Sequence, residues 1–87
     1  MTAYAIEFRP AALRELEALP RNDQKRIKNR IAALALDPFP SGCKKLKGFE
    51  WFRVRAGDYR VIYQVQQQHL VVLIITIGHR SDVYRRL

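Results

Sequence analysis

The sequence predicts an α+β fold in the order β-α-α-β-β-β: a small, twisted, mainly antiparallel sheet, two N-terminal helices packed on one face, and a short C-terminal helical stub. Three observations predict it. Apolar residues recur at helical spacing between Pro10 and Pro38. The stretch WFRVRAGDYRVIYQVQ, Trp51–Gln66, alternates with period two on either side of Gly57-Asp58. LVVLIITI, Leu70–Ile77, is apolar on both parities, the mark of a central strand covered on both faces.

Taken in order, Ala3–Phe8 alternates weakly, with Tyr4, Ile6 and Phe8 on one side, and reads as a short strand. Pro10 sits where a first helical residue tolerates proline. Leu13, Leu16 and Leu19 then recur at threefold spacing with Arg14, Glu15 and Glu17 between them, so residues 10–19 form an amphipathic helix that Pro20 stops. Asn22 or Asp23 is placed to cap a second helix carrying Ile27, Ile31 and Leu34, which ends at Asp37-Pro38. Its Lys25, Arg26, Lys28 and Arg30 lie off the apolar stripe, as a solvated face or as phosphate contacts. PFPSGC, Pro38–Cys43, is a loop. Phe52 and Val54 alternate with Arg53 and Arg55 in one strand; Tyr59, Val61, Tyr63 and Val65 alternate with Arg60, Ile62 and Gln64 in the next. Gly57-Asp58 turns between them. Gly78 breaks the last strand, with His79-Arg80 at its end, and DVYRRL, Asp82–Leu87, is a helical turn or tail. The helices cover one face of the final strand; a partner protein is one way to cover the other.

Composition bounds the function. The chain has 87 residues, read as one domain over 1–87, and 48% of them are hydrophobic, which suits one core and excludes a disordered chain. The formal charge is +8, which puts nucleic acid ahead of an anionic membrane as partner. Residues 1–42 hold 7 Lys/Arg against 5 Asp/Glu; residues 43–87 hold 9 against 3, so the positive field belongs mainly to the hairpin half. Cys43 is alone, which excludes an internal disulfide and fits a reducing cytoplasm. MTAYAIEF lacks the layout of a signal peptide, and the longest apolar run is too short for a bilayer span. No Gly-rich phosphate loop, Ser/His/Asp signature or metal-ligand spacing is present, so no cofactor and no metal are expected.

The chemistry points to the hairpin. With a two-residue turn at Gly57-Asp58, Arg55 faces Arg60 and Arg53 faces Ile62, which sets Arg53, Arg55 and Arg60 on one side of the sheet. Guanidiniums gathered with no acid between them match phosphate oxygens bidentately; the other reading is a solvated outer face. Lys44, Lys45 and Lys47 around Leu46 suit sequence-independent phosphate contact, or are ordinary surface lysines. His79 is the one group near the arginines that titrates around neutral pH, at about 6.5 when unperturbed, and so is a candidate acid or base. A structural hydrogen bond at a strand end is the alternative. His69 lies in a polar turn, QQQH. Tyr84 is placed to stack on a base or to pack on the sheet.

The segments KKLKG, FRVRAGDYRVIYQV, VVLIITIGHR and DVYRRL, preceded by YAIEFRPAALRELEALP, resemble the RelE toxin family of toxin–antitoxin systems along essentially the whole chain. GDYR…Y and GHR…VY are the most specific pieces. The resemblance implies a cytoplasmic toxin that cuts messenger RNA in the ribosomal A site without a metal and is held inactive by a RelB-like antitoxin, with operator DNA reached only through that antitoxin. It implies that Arg60 stabilises the phosphorane, that Arg80 serves the leaving group, and that Tyr84 stacks on the message. Arg53 and Arg55 stand where the best-studied member carries two lysines that orient and activate the nucleophile. An arginine, with a pKa above about 12, does not act as a base, so Arg53 and Arg55 are assigned to phosphate and the base falls to His79, with Tyr84 second. Two other functions fit less of the pattern: a ParE-like inhibitor of DNA gyrase with no nuclease centre, and a non-catalytic basic nucleic-acid-binding module.

Overall fold

A computed structural model describes residues 3–79 and 83. Seven elements follow in order: β1 (Ala5–Phe8), α1 (Pro10–Glu17), α2 (Arg21–Leu34), β2 (Lys44–Lys45), β3 (Phe52–Ala56), β4 (Tyr59–Gln66) and β5 (Val71–His79). The strands form one sheet in the order β1-β5-β4-β3-β2, parallel at β1–β5 and antiparallel elsewhere. The α+β class and the mainly antiparallel sheet are as expected from the sequence; β2 is an addition. Its two lysines carry no hydrophobic alternation and pair only through their backbone with Phe52 and Arg53.

Local chemistry explains the helices. Pro10 stands in the first turn of α1, where its missing N–H costs nothing, and Arg9 precedes it with extended backbone. The Gln24 side-chain amide donates to the carbonyls of Glu17 (3.2 Å) and Leu19 (2.7 Å), satisfying orphan acceptors where α1 ends. Asn22 and Asp23 do not cap α2. The helix starts before both, at Arg21, behind Pro20, and no side chain caps it. Asp23 lies in its first turn and accepts a hydrogen bond from the Tyr59 hydroxyl at 3.3 Å.

The helices cover one face of the sheet. Ala12, Leu16, Ile27, Ile31 and Leu34 pack against Val54, Val61, Tyr63, Val72, Ile74 and Ile77. Tyr63 is fully buried, and its hydroxyl donates to the Pro38 carbonyl at 2.7 Å, which ties the loop after α2 to the sheet. The opposite face has a smaller core of its own: Ile62, Ile75 and Val83, flanked by Leu46, Trp51 and Leu73. The second face of β5 is therefore covered in part by this chain itself, by the segment between β2 and β3 and by Val83.

Gly78 does not break β5. The strand runs on to His79, with Gly78 opposite Arg60 and His79 opposite Tyr59. An irregularity sits just before this end. Ile62 faces Thr76 but Tyr63 faces Ile74, so Ile75 is an extra residue, a β-bulge. Beyond β1 the edge of β5 is held by α1: the Glu15 carboxylate accepts hydrogen bonds from the Thr76 hydroxyl at 2.9 Å and the Ile77 N–H at 3.1 Å. Among the described residues no helix is long and apolar enough to cross a membrane.

Candidate functional site

The β3–β4 hairpin has the register its turn dictates. Ala56 faces Tyr59, Arg55 faces Arg60, and Arg53 faces Ile62. Gly57 has φ +62 in the first turn position, which suits a type II′ turn. Val54 and Ala56 are buried toward the helices, so Arg53 and Arg55 project from the other face, and Arg60 joins them by the same alternation in β4. Lys44 pairs with Arg53 and shares that face. Arg30 of α2 donates from Nε to the Arg55 carbonyl at 3.2 Å, fixing the end of β3.

Arg60 differs from its neighbours. It is only 8% exposed, and its Nε and Nη1 are buried with no hydrogen-bond partner among the described residues. A buried, permanently charged group in that condition is costly, and an anion is the partner that suits its chemistry. The buried Gly78, opposite Arg60, adds no side chain to the space. A cavity of about 110 Å³ is lined by Arg55, Gly57, Asp58, Tyr59 and Arg60. A second, of about 310 Å³, is lined by Gly42, Lys44, Arg53, Val54 and Arg55, so Arg55 borders both. A larger cleft of about 600 Å³ lies along α2 between Arg21, Lys25 and Lys28, away from the strand arginines.

Lys45 faces Phe52, on the parity opposite to Lys44, and its Nζ lies 3.3 Å from Glu50. Lys47 is exposed in the turn after β2. His79 falls on the opposite face of the sheet from the strand arginines. It pairs with Tyr59, on the helix side of the sheet, and the two rings meet edge-on at 6.0 Å. The bulge is the reason. Leu73 and Ile75 contribute to the arginine-side cluster, and unbroken alternation would carry His79 there too; the extra residue sends Ile77 and His79 to the helix side and Gly78 to the side of Arg60. Arg80 and Tyr84 lie outside the described residues.

One feature of this face had no reading from the sequence. Phe49 stacks on Trp51, centroids 4.7 Å apart and planes 12° from parallel, and shares a cavity with Lys45 and Lys47. The signal was available as two aromatics one residue apart after KKLKG.

Residues 6–84 match the sequence profile of the ParE toxin of the type II toxin–antitoxin system, parDE. Toxin RelG of Mycobacterium tuberculosis is 32% identical over 87 residues, covering 95% of this chain and 98% of that protein. The chain belongs to the RelE toxin family. The mRNA interferase toxin RelE of Escherichia coli is 30% identical over 87 residues, with 94% of this chain and 90% of that one covered. The fold agrees: the archaeal RelE–RelB complex from Pyrococcus horikoshii contains a chain that superposes with a TM-score of 0.81 at 29% identity, over 95% of this chain and 100% of that one. In this RelE-like toxin of a toxin–antitoxin system, the described part of the candidate site is a strand-borne set of cations around Arg60.

Proposed function

We propose that this toxin is a ribosome-dependent endoribonuclease that cuts translated messenger RNA in the A site, in the cytoplasm, and is silenced by a RelB-like antitoxin. The observation that carries this reading is the buried Arg60 guanidinium, with two nitrogens lacking hydrogen-bond partners among the described residues, on the face that also bears Arg53, Arg55 and Lys44. The RelE–RelB complex among its structural neighbours supports the antitoxin, and the relative called an mRNA interferase supports the reaction.

The reaction is attack by a ribose 2′-oxygen on the adjacent phosphorus. A P–O2′ bond forms, the P–O5′ bond breaks, and the products are a 2′,3′-cyclic phosphate and a 5′-hydroxyl. The 2′-hydroxyl proton goes to a base, and the departing 5′-oxygen takes up a proton. Negative charge peaks on the phosphorane oxygens, where Arg60, poised and shielded from water, has its largest effect. Arg53, Arg55 and Lys44 hold flanking phosphates in line. These guanidiniums supply the positive charge that the phosphorane requires, so the step needs no metal. By family resemblance, Arg80 serves the leaving group and Tyr84 stacks on the message. With His79 on the helix side, Tyr84 becomes the first candidate for the base.

A second reading, a ParE-like gyrase inhibitor, is favoured by the matching profile. One experiment separates the two. The 5′ ends of a translated message are mapped in a cell-free system with the purified toxin, and gyrase supercoiling is run in parallel. Codon-positioned 5′-hydroxyl ends with unaffected supercoiling support the nuclease. Blocked supercoiling with an intact message supports the inhibitor, and neither effect leaves a binding module.

A further inference from the structure

The connection between β2 and β3 is built, not loose. Leu46 to Phe49 make a turn closed by the Phe49 N–H donating to the Leu46 carbonyl at 3.3 Å, with Gly48 at φ +85 in its third position. The Leu46 N–H donates to the Trp51 carbonyl at 2.9 Å, and Lys45 bridges to Glu50 across the turn. Trp51 is anchored in the core it shares with Ile62, Ile75 and Val83. Phe49 lies flat on Trp51 and is still 41% exposed. A cavity of about 340 Å³ borders it, lined by Lys45, Leu46, Lys47, Gly48, Phe49 and Glu50.

Trp51, Arg53 and Arg55 occupy alternate positions of one extended segment, so the aromatic stack and the Arg55–Arg60 pair share a face and are separated by roughly 13 Å. We propose that the Phe49–Trp51 stack is a base-stacking platform for a single-stranded message nucleotide flanking the cut phosphate. The proposal rests on the nuclease reading above. Single-stranded RNA is held by a cationic track for its phosphates together with aromatic faces for its bases, and this surface presents both in sequence: Phe49 for a base, Lys47, Lys44 and Arg53 for phosphates, Arg60 for the reacting one. A buried apolar contact for a protein would not call for cations along its length. A rigid, pre-stacked ring adjoining lysines is what a base requires, and Trp51 fixes the plane of that ring before RNA arrives.

Trp51 is the only tryptophan in the chain, so its fluorescence reports on the platform directly. The probe is a 2′-O-methyl trinucleotide, which lacks the attacking hydroxyl and survives intact. An abasic trimer of the same charge is the control. The full-length toxin is expected to show saturable quenching with the trinucleotide and none with the abasic trimer. Phe49→Tyr keeps this binding, whereas Phe49→Leu weakens it on the order of tenfold while thermal unfolding shows both variants folded. In the ribosome-dependent assay, Phe49→Leu raises the message concentration needed for half-maximal cleavage and Phe49→Tyr restores it. The proposal is overturned if the abasic trimer quenches equally, if no saturable quenching occurs up to millimolar trinucleotide, or if Phe49→Leu binds and cleaves as the parent does. It is also overturned if Phe49→Leu loosens only the antitoxin complex, which would make the patch a protein contact. In each of these cases, loss of cleavage in Arg60→Ala leaves the nuclease reading standing; failure of that reading instead shows as no cleavage by the parent toxin.

Discussion

Arg55 and Arg60 face each other directly across the β3–β4 hairpin, and the partner on the central strand is buried with two guanidinium nitrogens unbonded among the described residues. Two like charges in register oppose strand pairing, and burying one of them without a partner opposes folding. The arrangement costs stability, and on the proposed reading a bound anion relieves that cost. Arg60→Met, which keeps the stem and removes the charge, should therefore raise the stability of the free toxin by about 1 kcal/mol or more. Inorganic phosphate should raise the melting temperature of the parent and not of Arg60→Met. Thermal unfolding with and without phosphate checks both; a destabilised variant would mean that the guanidinium already has its partner.

His79 stands with Tyr59 on the helix side of the sheet. His79→Ala should therefore leave cleavage within a few-fold of the parent, whereas losing a general base costs about 10²-fold or more. Single-turnover cleavage of an A-site message on programmed ribosomes makes the comparison. A loss as large as that of Arg60→Ala would return His79 to the centre.

These two residues also show what a sequence can and cannot convey here. The register around Arg55 and Arg60 was legible because a two-residue turn at Gly57-Asp58 leaves only one pairing. The side on which His79 falls was not, because period two carries no sign of an inserted residue and the run around Ile75 is apolar throughout. The same run conceals that Gly78 continues the strand and clears the space beside Arg60. β2 was invisible for another reason: two lysines form a strand only because β3 offers an edge.

Glu15 replaces a strand neighbour for the end of β5, bonding the Thr76 hydroxyl and the Ile77 N–H where β1 has already ended. Glu15→Ala should cost about 1–3 kcal/mol in urea unfolding and speed hydrogen exchange at the Ile77 amide. Glu15→Gln, which keeps a carbonyl acceptor, should recover much of the loss. Unchanged exchange at Ile77 in Glu15→Ala would show that the edge is held by other means.

Burial, with the neighbouring Cys43 second, pushes the Tyr63 phenol well above its ordinary range. The folded chain thus keeps this proton where the unfolded chain releases it, from about pH 10 upward. Folding stability should fall as pH rises through that window, and Tyr63→Phe should flatten the fall while losing the hydrogen bond to Pro38. Denaturant unfolding of both forms between pH 8 and 11 tests the sign; equal slopes would contradict it.

The central claim is that Arg60 meets the charge that builds up on the phosphate as the message is cut. Its most direct test is the single-turnover cleavage rate of an A-site message on programmed ribosomes by the parent toxin and by Arg60→Met, both shown to be folded and ribosome-bound. The predicted result is a fall of about 10²–10³-fold or more with ribosome binding retained; cleavage within a factor of about three of the parent's, well short of that fall, would contradict it.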